Sequence, residues 1–161
     1  MDNPAHIGNS GNPVLRRFDE PLRQGIRYRN RPGAYAVIAR GRRVLLTFQA
    51  RPVPEFQLPG GGIDPGETPV VALHREVAEE TGWGVRVIRR LGAFRRYTYM
   101  PEYDLWARKI CHIYLCRPTL NRALHRGAAL EEHHSAHWVD AELAAGLLAN
   151  GGDRHFLEML L

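Results

Sequence analysis

Apolar residues recur along the chain in two periods that divide it into strands and helices. Residues 34–39 form an unbroken apolar run typical of a buried strand, and 44–48 follow as its partner after a turn at 41–42. Further strands are predicted at 56–58, 85–94, 107–115 and 137–139, and C-terminal helices at about 141–149 and 153–160. Strands on both sides of a central helix, with more helix at the C-terminus, indicate a layered α/β fold.

The central helix is predicted over 69–81 from signals at both of its ends. Thr68 is suited to the N-cap position, Pro69 to the first helical position, and Gly82 to the C-terminal stop. Inside the helix, apolar residues at spacings of three and four predict a buried stripe of Val70, Leu73 and Val77.

Three carboxylates fall on another part of this helix. Glu76, Glu79 and Glu80 are spaced i, i+3, i+4, so they share one face roughly 100° wide. Like charges at this spacing destabilise a helix by a few tenths of a kcal/mol per pair, about as much as a pair of opposite charges would stabilise it. A hard cation such as Mg²⁺ or Mn²⁺ would convert the repulsion into ligation, whereas the simpler alternative is a solvated acidic face.

The residues before and after these glutamates favour a metal site over a solvated acidic face. Residues 61–83 read GGIDPGETPVVALHREVAEETGW and match the pattern G-x5-E-x7-REU-x-EE-x-G-U, with bulky Trp83 in place of an aliphatic residue at the last position. The sequence therefore resembles the Nudix (MutT-type) hydrolases, and we refer to residues 61–83 as the Nudix box. The resemblance implies the Nudix fold, an α/β/α sandwich with a mixed β-sheet and a loop–helix–loop box.

The resemblance also assigns roles to individual residues. It implies that Glu67 and Arg75 form an ion pair between the loop and the helix. It implies a Mg²⁺ site, with Mn²⁺ as a substitute, formed by Gly61, Glu76, Glu79 and Glu80. The general base would be either a box glutamate such as Glu79 or Glu132, which lies six residues before Trp138.

The implied activity is metal-dependent hydrolysis of a pyrophosphate linkage in a nucleoside diphosphate linked to another group. A nucleoside triphosphate, ADP-ribose, a dinucleoside polyphosphate and a capped RNA end all remain open as substrates. The alternative is a non-catalytic Nudix domain that binds a nucleotide as a sensor. Apart from an RNA 5′ end, nucleic acid is not expected as a partner.

Candidate substrate-binding residues lie outside the box. Arg51 precedes a proline-rich loop, and Tyr97 and Tyr99 belong to a stretch rich in tyrosine and arginine. Tyrosines can stack on a base and arginines can hold phosphates, although an ordinary amphipathic hairpin has the same composition.

Composition and charge set the organisation of the chain. With 161 residues, 44% of them hydrophobic, the chain suits one domain, predicted at 33–161, after a flexible or arm-like segment at 1–32 that could contribute to a homodimer. The net charge of +5 is uneven, because an acidic box is flanked by basic segments, as suits a metal site that also holds phosphates.

No membrane association is expected, because the chain has no apolar run near 18 residues. The N-terminus lacks the apolar stretch of a signal peptide, so we expect a cytoplasmic protein. Cys111 and Cys116 lie five apart on a predicted strand and should face opposite sides of the sheet, as buried thiols without a disulfide.

Overall fold

The computed structural model describes residues 15–119 and 133–161. The strands, in chain order, are β1 (Tyr28–Asn30), β2 (Gly33–Arg40), β3 (Arg43–Gln49), β4 (Glu55–Gln57), β5 (Gly60–Gly62), β6 (Val85–Met100), β7 (Leu105–Pro118) and β8 (His134–Asp140). The helices in these ranges are α1 (Pro69–Thr81), α2 (Ala141–Leu147) and α3 (Gly151–Glu158), with one 3-10 turn at Pro101–Tyr103 between β6 and β7.

β7 is the strand around which the sheet is arranged. β2 runs parallel to it, with Gly33 opposite Cys111 and Ile38 opposite Cys116, and β1 pairs in parallel farther along the same edge. β6 pairs antiparallel with the other edge of β7. On its far side β2 pairs antiparallel with β3, which pairs antiparallel with β4 and β8. The sheet is therefore mixed, as the sequence predicts.

Helices cover both faces of the sheet because successive side chains of a strand point to opposite faces. Ala36 and Ile38 of β2 pack with Leu73 and Val77 of α1 in one buried cluster. Val37 between them faces the other way, into a second buried cluster with residues of α2 and α3. This arrangement confirms the predicted α/β/α sandwich.

Helix α1 has the predicted ends. The Thr68 hydroxyl accepts a hydrogen bond of 3.2 Å from a backbone N–H of the first turn. Gly82 has a φ of 71°, in the left-handed region, and its N–H donates to the Ala78 carbonyl at 2.9 Å. The predicted stripe is right at Leu73 and Val77 but wrong at Val70, which is 36% exposed in the first turn of the helix.

Strand β6 is longer than the apolar alternation predicts. It continues past residue 94 to Met100 and forms a long hairpin with β7. The extension carries arginine, tyrosine or threonine on both faces of the sheet, so its sequence shows no contrast between an inner and an outer face. Residues 95–100 are therefore strand, and the turn of the hairpin lies at 101–104.

Part of the N-terminal segment packs on the sheet. Residues 1–14 lie outside the described residues, whereas β1 joins the sheet beside β7. The ring of Phe18 meets the ring of Phe94 edge to face, with the centroids 5.5 Å apart. The Arg17 backbone also forms a bridge to Arg95 of β6. These contacts attach residues 17–30 to the domain.

The cysteines have the predicted environment. Cys111 and Cys116 are both buried free thiols, and each belongs to a different one of the two core clusters. Their odd separation along β7 explains why they face opposite sides of the sheet. In residues 15–119 and 133–161, no helix is long and apolar enough to cross a membrane.

Candidate active site

The glycine loop packs tightly against both β2 and α1. Gly60 and Gly61 of β5 pair with Tyr35 and Ala34 of β2. A Cβ at Gly60, whose φ is +145°, would lie 2.2 Å from the Ala34 carbonyl oxygen. A Cβ at Gly61 would lie 2.5 Å from the carboxylate of Glu76. Only glycine allows the loop to approach the strand and the helix this closely.

Arg75 connects the loop to the helix. Its Nε donates to Glu67 Oε2 at 2.9 Å, and its Nη2 donates to Glu67 Oε1 at 2.7 Å. The same Nη2 donates to the Gly62 carbonyl at 3.0 Å. The planar guanidinium therefore binds Glu67 through two parallel hydrogen bonds, the most directional form of this ion pair.

This pair is charged throughout the range near neutral pH. Hydrogen bonds from Arg75, together with one from the Asp64 N–H, lower the pKa of Glu67 to about 2. The same contact raises the pKa of Arg75 above its ordinary value. The loop is thus fixed to the helix by a contact that mild acid does not remove.

The three box glutamates surround the junction of loop and helix. Glu76 is 15% exposed and lies against Gly61, whereas Glu79 is 49% exposed. Glu80 accepts a hydrogen bond of 3.1 Å from the Gly60 N–H. Arg75 also reaches this group, since its Nη1 donates to Glu76 at 2.9 Å and to Glu79 at 3.3 Å.

This donor set has the chemistry of a divalent-cation site. Within the described ranges, no three His, Cys, Asp or Glu side chains are arranged to hold an ion. The box carboxylates instead accept hydrogen bonds, Glu76 and Glu79 from Arg75 and Glu80 from the Gly60 N–H. All three side chains nevertheless offer hard oxygen atoms, beside a loop whose backbone lies close to them. Such donors suit Mg²⁺ or Mn²⁺.

A cleft of about 250 Å³ opens on the opposite face of β2 and β7. Residues of both strands, of β6 and of α3 line its deep part: Tyr35, Arg96, Lys109, Cys111, Asn150 and Asp153. The lining also includes Tyr99 and Glu102, which are exposed at the rim, and the half-buried Glu55. The cleft combines ring surfaces with several polar groups, as ligand pockets commonly do.

The floor of the cleft holds charged groups in a buried position. The Lys109 ammonium lies 5.6 Å from the centre of the Tyr35 ring, and interaction with Tyr35 raises the pKa of Lys109, so Lys109 is cationic at neutral pH. Burial raises the pKa of Asp153, although one of its carboxylate oxygens accepts a hydrogen bond of 3.1 Å from the Leu58 N–H. Arg96 Nε is buried without a hydrogen-bond partner in the described ranges.

The cleft and the box meet at one short stretch of chain. Within 58–61, the N–H of Leu58 donates to Asp153 in the cleft, and the N–H of Gly60 donates to Glu80 in the box. Gly60 is also paired with Tyr35 of the cleft floor. Because Leu58, Pro59 and Gly60 are buried, this stretch joins the two groups through its backbone and fixes their positions relative to each other.

The predicted substrate-binding residues are not all in one place. Tyr99 lies at the rim of the cleft, where its hydroxyl donates to Asp104. Tyr97 does not line the cleft, because its ring is buried against Tyr28, with ring centroids 4.8 Å apart. The prediction for Tyr97 therefore does not fit its position.

Two other predicted residues do not belong to the described lining of the cleft. Arg51 is exposed in the loop after β3, and its neighbours Pro52 and Val53 line the cleft whereas Arg51 itself does not. Glu132, proposed as a general base, lies outside the described residues. Sequence reasoning missed Lys109 and Asp153; the available signal was a lysine on the same strand face as buried Cys111 and Ile113.

Comparison with known proteins supports the family resemblance that the box shows. The NUDIX domain family profile matches residues 29–160. A putative 8-oxo-dGTP diphosphatase of Bacillus subtilis (strain 168) is 32% identical over 74 residues, which are 46% of this chain and 50% of that protein. A CMP-5′-(N-acetyl-N-hydroxy-3-aminopropyl)phosphonate hydrolase of Streptomyces rubellomurinus (strain ATCC 31215) is 32% identical over 127 residues, 74% of this chain and 57% of that protein. The chain thus spans little more than half the length of these relatives.

The same relationship is visible in three dimensions. A NUDIX hydrolase from Nitrosomonas europaea has a similar structure, with a TM-score of 0.63 at 17% sequence identity. The similar region covers 81% of this chain and 87% of that one. At that level of identity the similarity shows a shared fold and no more.

Proposed function

This chain belongs to the NUDIX domain family, and from that premise we propose that it is an enzyme that hydrolyses a pyrophosphate linkage in a nucleotide. One observation carries the proposal: residues 58–61 contact both the box carboxylates and the floor of the cleft. In this proposal the phosphates lie beside Glu76, Glu79 and Glu80 and the nucleoside lies in the cleft, and the buried stretch 58–61 holds the two parts of the site in a fixed relation.

The box carboxylates would hold the divalent cation of the reaction. Glu76, Glu79 and Glu80 are the proposed ligands, with the Gly61 carbonyl as a fourth oxygen atom. When bound, Mg²⁺ or Mn²⁺ would neutralise phosphate charge and acidify a water molecule.

Residues of the chain would accept the proton and keep the loop in position. Glu79 is exposed, whereas the other two box glutamates are half-buried. Glu79 can therefore meet an attacking water and take its proton. Glu132 stays a second candidate for this role. The Glu67–Arg75 pair would hold the glycine loop against α1, so that the carboxylates keep their positions through the reaction.

The cleft would bind the nucleoside part of the substrate. Its volume of about 250 Å³ suits a group of that size, and Tyr99, which belongs to the lining, stays a proposed substrate contact. The names of both curated relatives contain a nucleotide, a guanosine triphosphate derivative in one and a CMP conjugate in the other. These names support a nucleotide as the substrate here and leave the base open.

A substrate panel tests the proposal. Purified protein would be incubated with Mg²⁺ and nucleoside triphosphates, ADP-ribose, dinucleoside polyphosphates or a 5′-triphosphorylated RNA, and the products separated by ion-exchange chromatography. We expect a nucleoside monophosphate from the small nucleotides or a 5′-monophosphorylated end from the RNA, and no product in EDTA. Release of orthophosphate alone, or a rate unchanged by EDTA, would contradict the proposal.

The alternative is a domain that binds a nucleotide without hydrolysing it. The intact set of Glu76, Glu79 and Glu80 favours the enzyme, because binding alone does not require a proton acceptor beside the phosphates. Nucleotide binding by calorimetry, together with the absence of any product over the whole panel, would favour the sensor.

A further inference from the structure

The cleft floor carries more positive charge than its own acidic groups balance. Arg96 of β6 and Lys109 of β7 are direct cross-strand neighbours, and both line the cleft. Like charges in this relation destabilise a sheet unless another group compensates them. Asp153 is the deep carboxylate near both cations, and it already accepts a hydrogen bond from the Leu58 N–H.

Hydrogen-bond donors therefore outnumber acceptors at the bottom of the cleft. Arg96 Nε is buried and has no acceptor in the described ranges, so it is a donor that a ligand could satisfy. The Lys109 ammonium has three N–H groups and cannot accept a hydrogen bond. Asn150 does not restore the balance, because its side-chain oxygen is occupied by the Asp153 N–H at 2.7 Å. Of the two other carboxylates in the lining, Glu55 already accepts a hydrogen bond from the Gln57 side chain, and Glu102 is exposed to solvent.

We propose that this floor selects nucleotides whose base presents a carbonyl oxygen to Lys109 and Arg96, in preference to bases that present an amino group there. This inference rests on the proposed function, since it assigns the substrate class of the same site. Hypoxanthine, guanine and uracil carry a carbonyl where adenine and cytosine carry an amino group. An amino group would bring a further donor to a floor that lacks acceptors, and it would leave Arg96 unsatisfied.

Two pairs of substrates isolate this feature. ITP and ATP differ in a carbonyl against an amino group at position 6, and UTP and CTP differ in the same way at position 4. We would measure kcat/KM for all four nucleotides with the wild-type protein. Because hydrogen bonds to charged groups are stronger than neutral ones, we expect ITP over ATP and UTP over CTP by about tenfold or more.

Three substitutions locate the origin of the preference. Lys109→Met and Arg96→Met remove the charge and leave a shorter, unbranched apolar side chain, and we expect each to bring both ratios toward one, mainly through slower turnover of the carbonyl substrates. Removing one of two facing cations also relieves their repulsion, so the variants should fold, which thermal melting checks. Arg108→Met is the matched control, because Arg108 comes directly before Lys109 on β7, so its side chain points to the opposite face of the sheet, where it is exposed; it should keep both ratios.

The outcomes separate this inference from the proposed function. Equal kcat/KM within each pair, a preference for ATP or CTP, or ratios unchanged in both Lys109→Met and Arg96→Met would overturn the inference while leaving hydrolysis intact. If no nucleotide is hydrolysed, the proposed function fails, and calorimetry of IMP against AMP still tests the floor. Tighter binding of IMP, lost in Lys109→Met, supports the inference on its own, and equal binding rejects it.

Discussion

Replacing Gly61 with alanine should move a box carboxylate without unfolding the protein. The new Cβ would lie 2.5 Å from the Cδ and Oε2 atoms of Glu76, where ordinary van der Waals contact begins near 3.4 Å. The carboxylate must therefore retreat by about 0.9 Å. Gly61 does not have a positive φ, so alanine adds no backbone strain at this position.

The expected consequence is a loss of rate with little loss of stability. A misplacement of about 1 Å at a reacting group can lower the rate by about 100-fold, and we expect kcat/KM to fall by that order. The free energy of unfolding should change by less than about 1 kcal/mol, because the displaced group is the flexible end of a partly exposed side chain. Steady-state kinetics on the best nucleotide of the panel and urea denaturation measure the two quantities.

Neighbouring glycines provide the controls. At Gly62 an added Cβ meets nothing within 4 Å, so Gly62→Ala should keep both rate and stability. At Gly60 the Cβ would meet backbone atoms of Ala34 and Tyr35 at 2.2 and 2.6 Å, so Gly60→Ala should destabilise the fold by several kcal/mol, since buried overpacking alone costs about 1–3 kcal/mol. Full activity in Gly61→Ala, or an equal loss in Gly62→Ala, would refute this account of the loop.

Three further predictions follow from the packing and the charges. The Glu67 pKa is lowered from 4.5 to about 2, so the pair with Arg75 stabilises the fold above pH 4.5, and this contribution is lost as pH falls toward 2. Between pH 4.5 and 2 the melting temperature should therefore fall less steeply in Arg75→Met than in the wild-type protein. Parallel curves of melting temperature against pH would argue against the pair. Leu73→Ala should cost about 2–5 kcal/mol in urea denaturation, because the side chain is fully buried, and a cost below about 1 kcal/mol would contradict its place in the core. Burial raises the pKa of Cys111 and of Cys116 to about 12, so neither thiol should react with a thiol reagent at pH 8 until the protein is unfolded; rapid labelling of the native protein would contradict this.

The features that the sequence predicts well are local ones. The ends of α1 depend on Thr68, Pro69 and Gly82, which act within one helical turn of their own positions. The box spacing identifies the family because seven fixed letters fall within 23 residues. The apolar run at 34–39 is read directly as a central strand, since no polar residue interrupts it.

The cleft could not be predicted because it depends on long-range register. Tyr35, Lys109 and Asp153 lie far apart in sequence, and they meet only when β2 pairs with β7 and α3 packs beneath them. Tyr97 and Tyr99 differ because Tyr97 is buried against Tyr28 whereas Tyr99 lies at the exposed end of β6, and neither neighbour is visible in the composition of this stretch. The hydrogen bonds from Arg75 to Glu76 and Glu79 are also not visible in the spacing, which assigns those glutamates to a metal.

The most direct test of the central claim is the turnover of the preferred nucleotide by Glu79→Gln beside Glu158→Gln. The first substitution removes the proposed proton acceptor, and the second makes the same change at an exposed glutamate of α3 outside the site. Loss of a general base lowers rates by about 100- to 10,000-fold, so kcat should fall by that much in Glu79→Gln and stay at the wild-type value in Glu158→Gln. Equal kcat in both folded variants would contradict the assignment of the chemistry to the box.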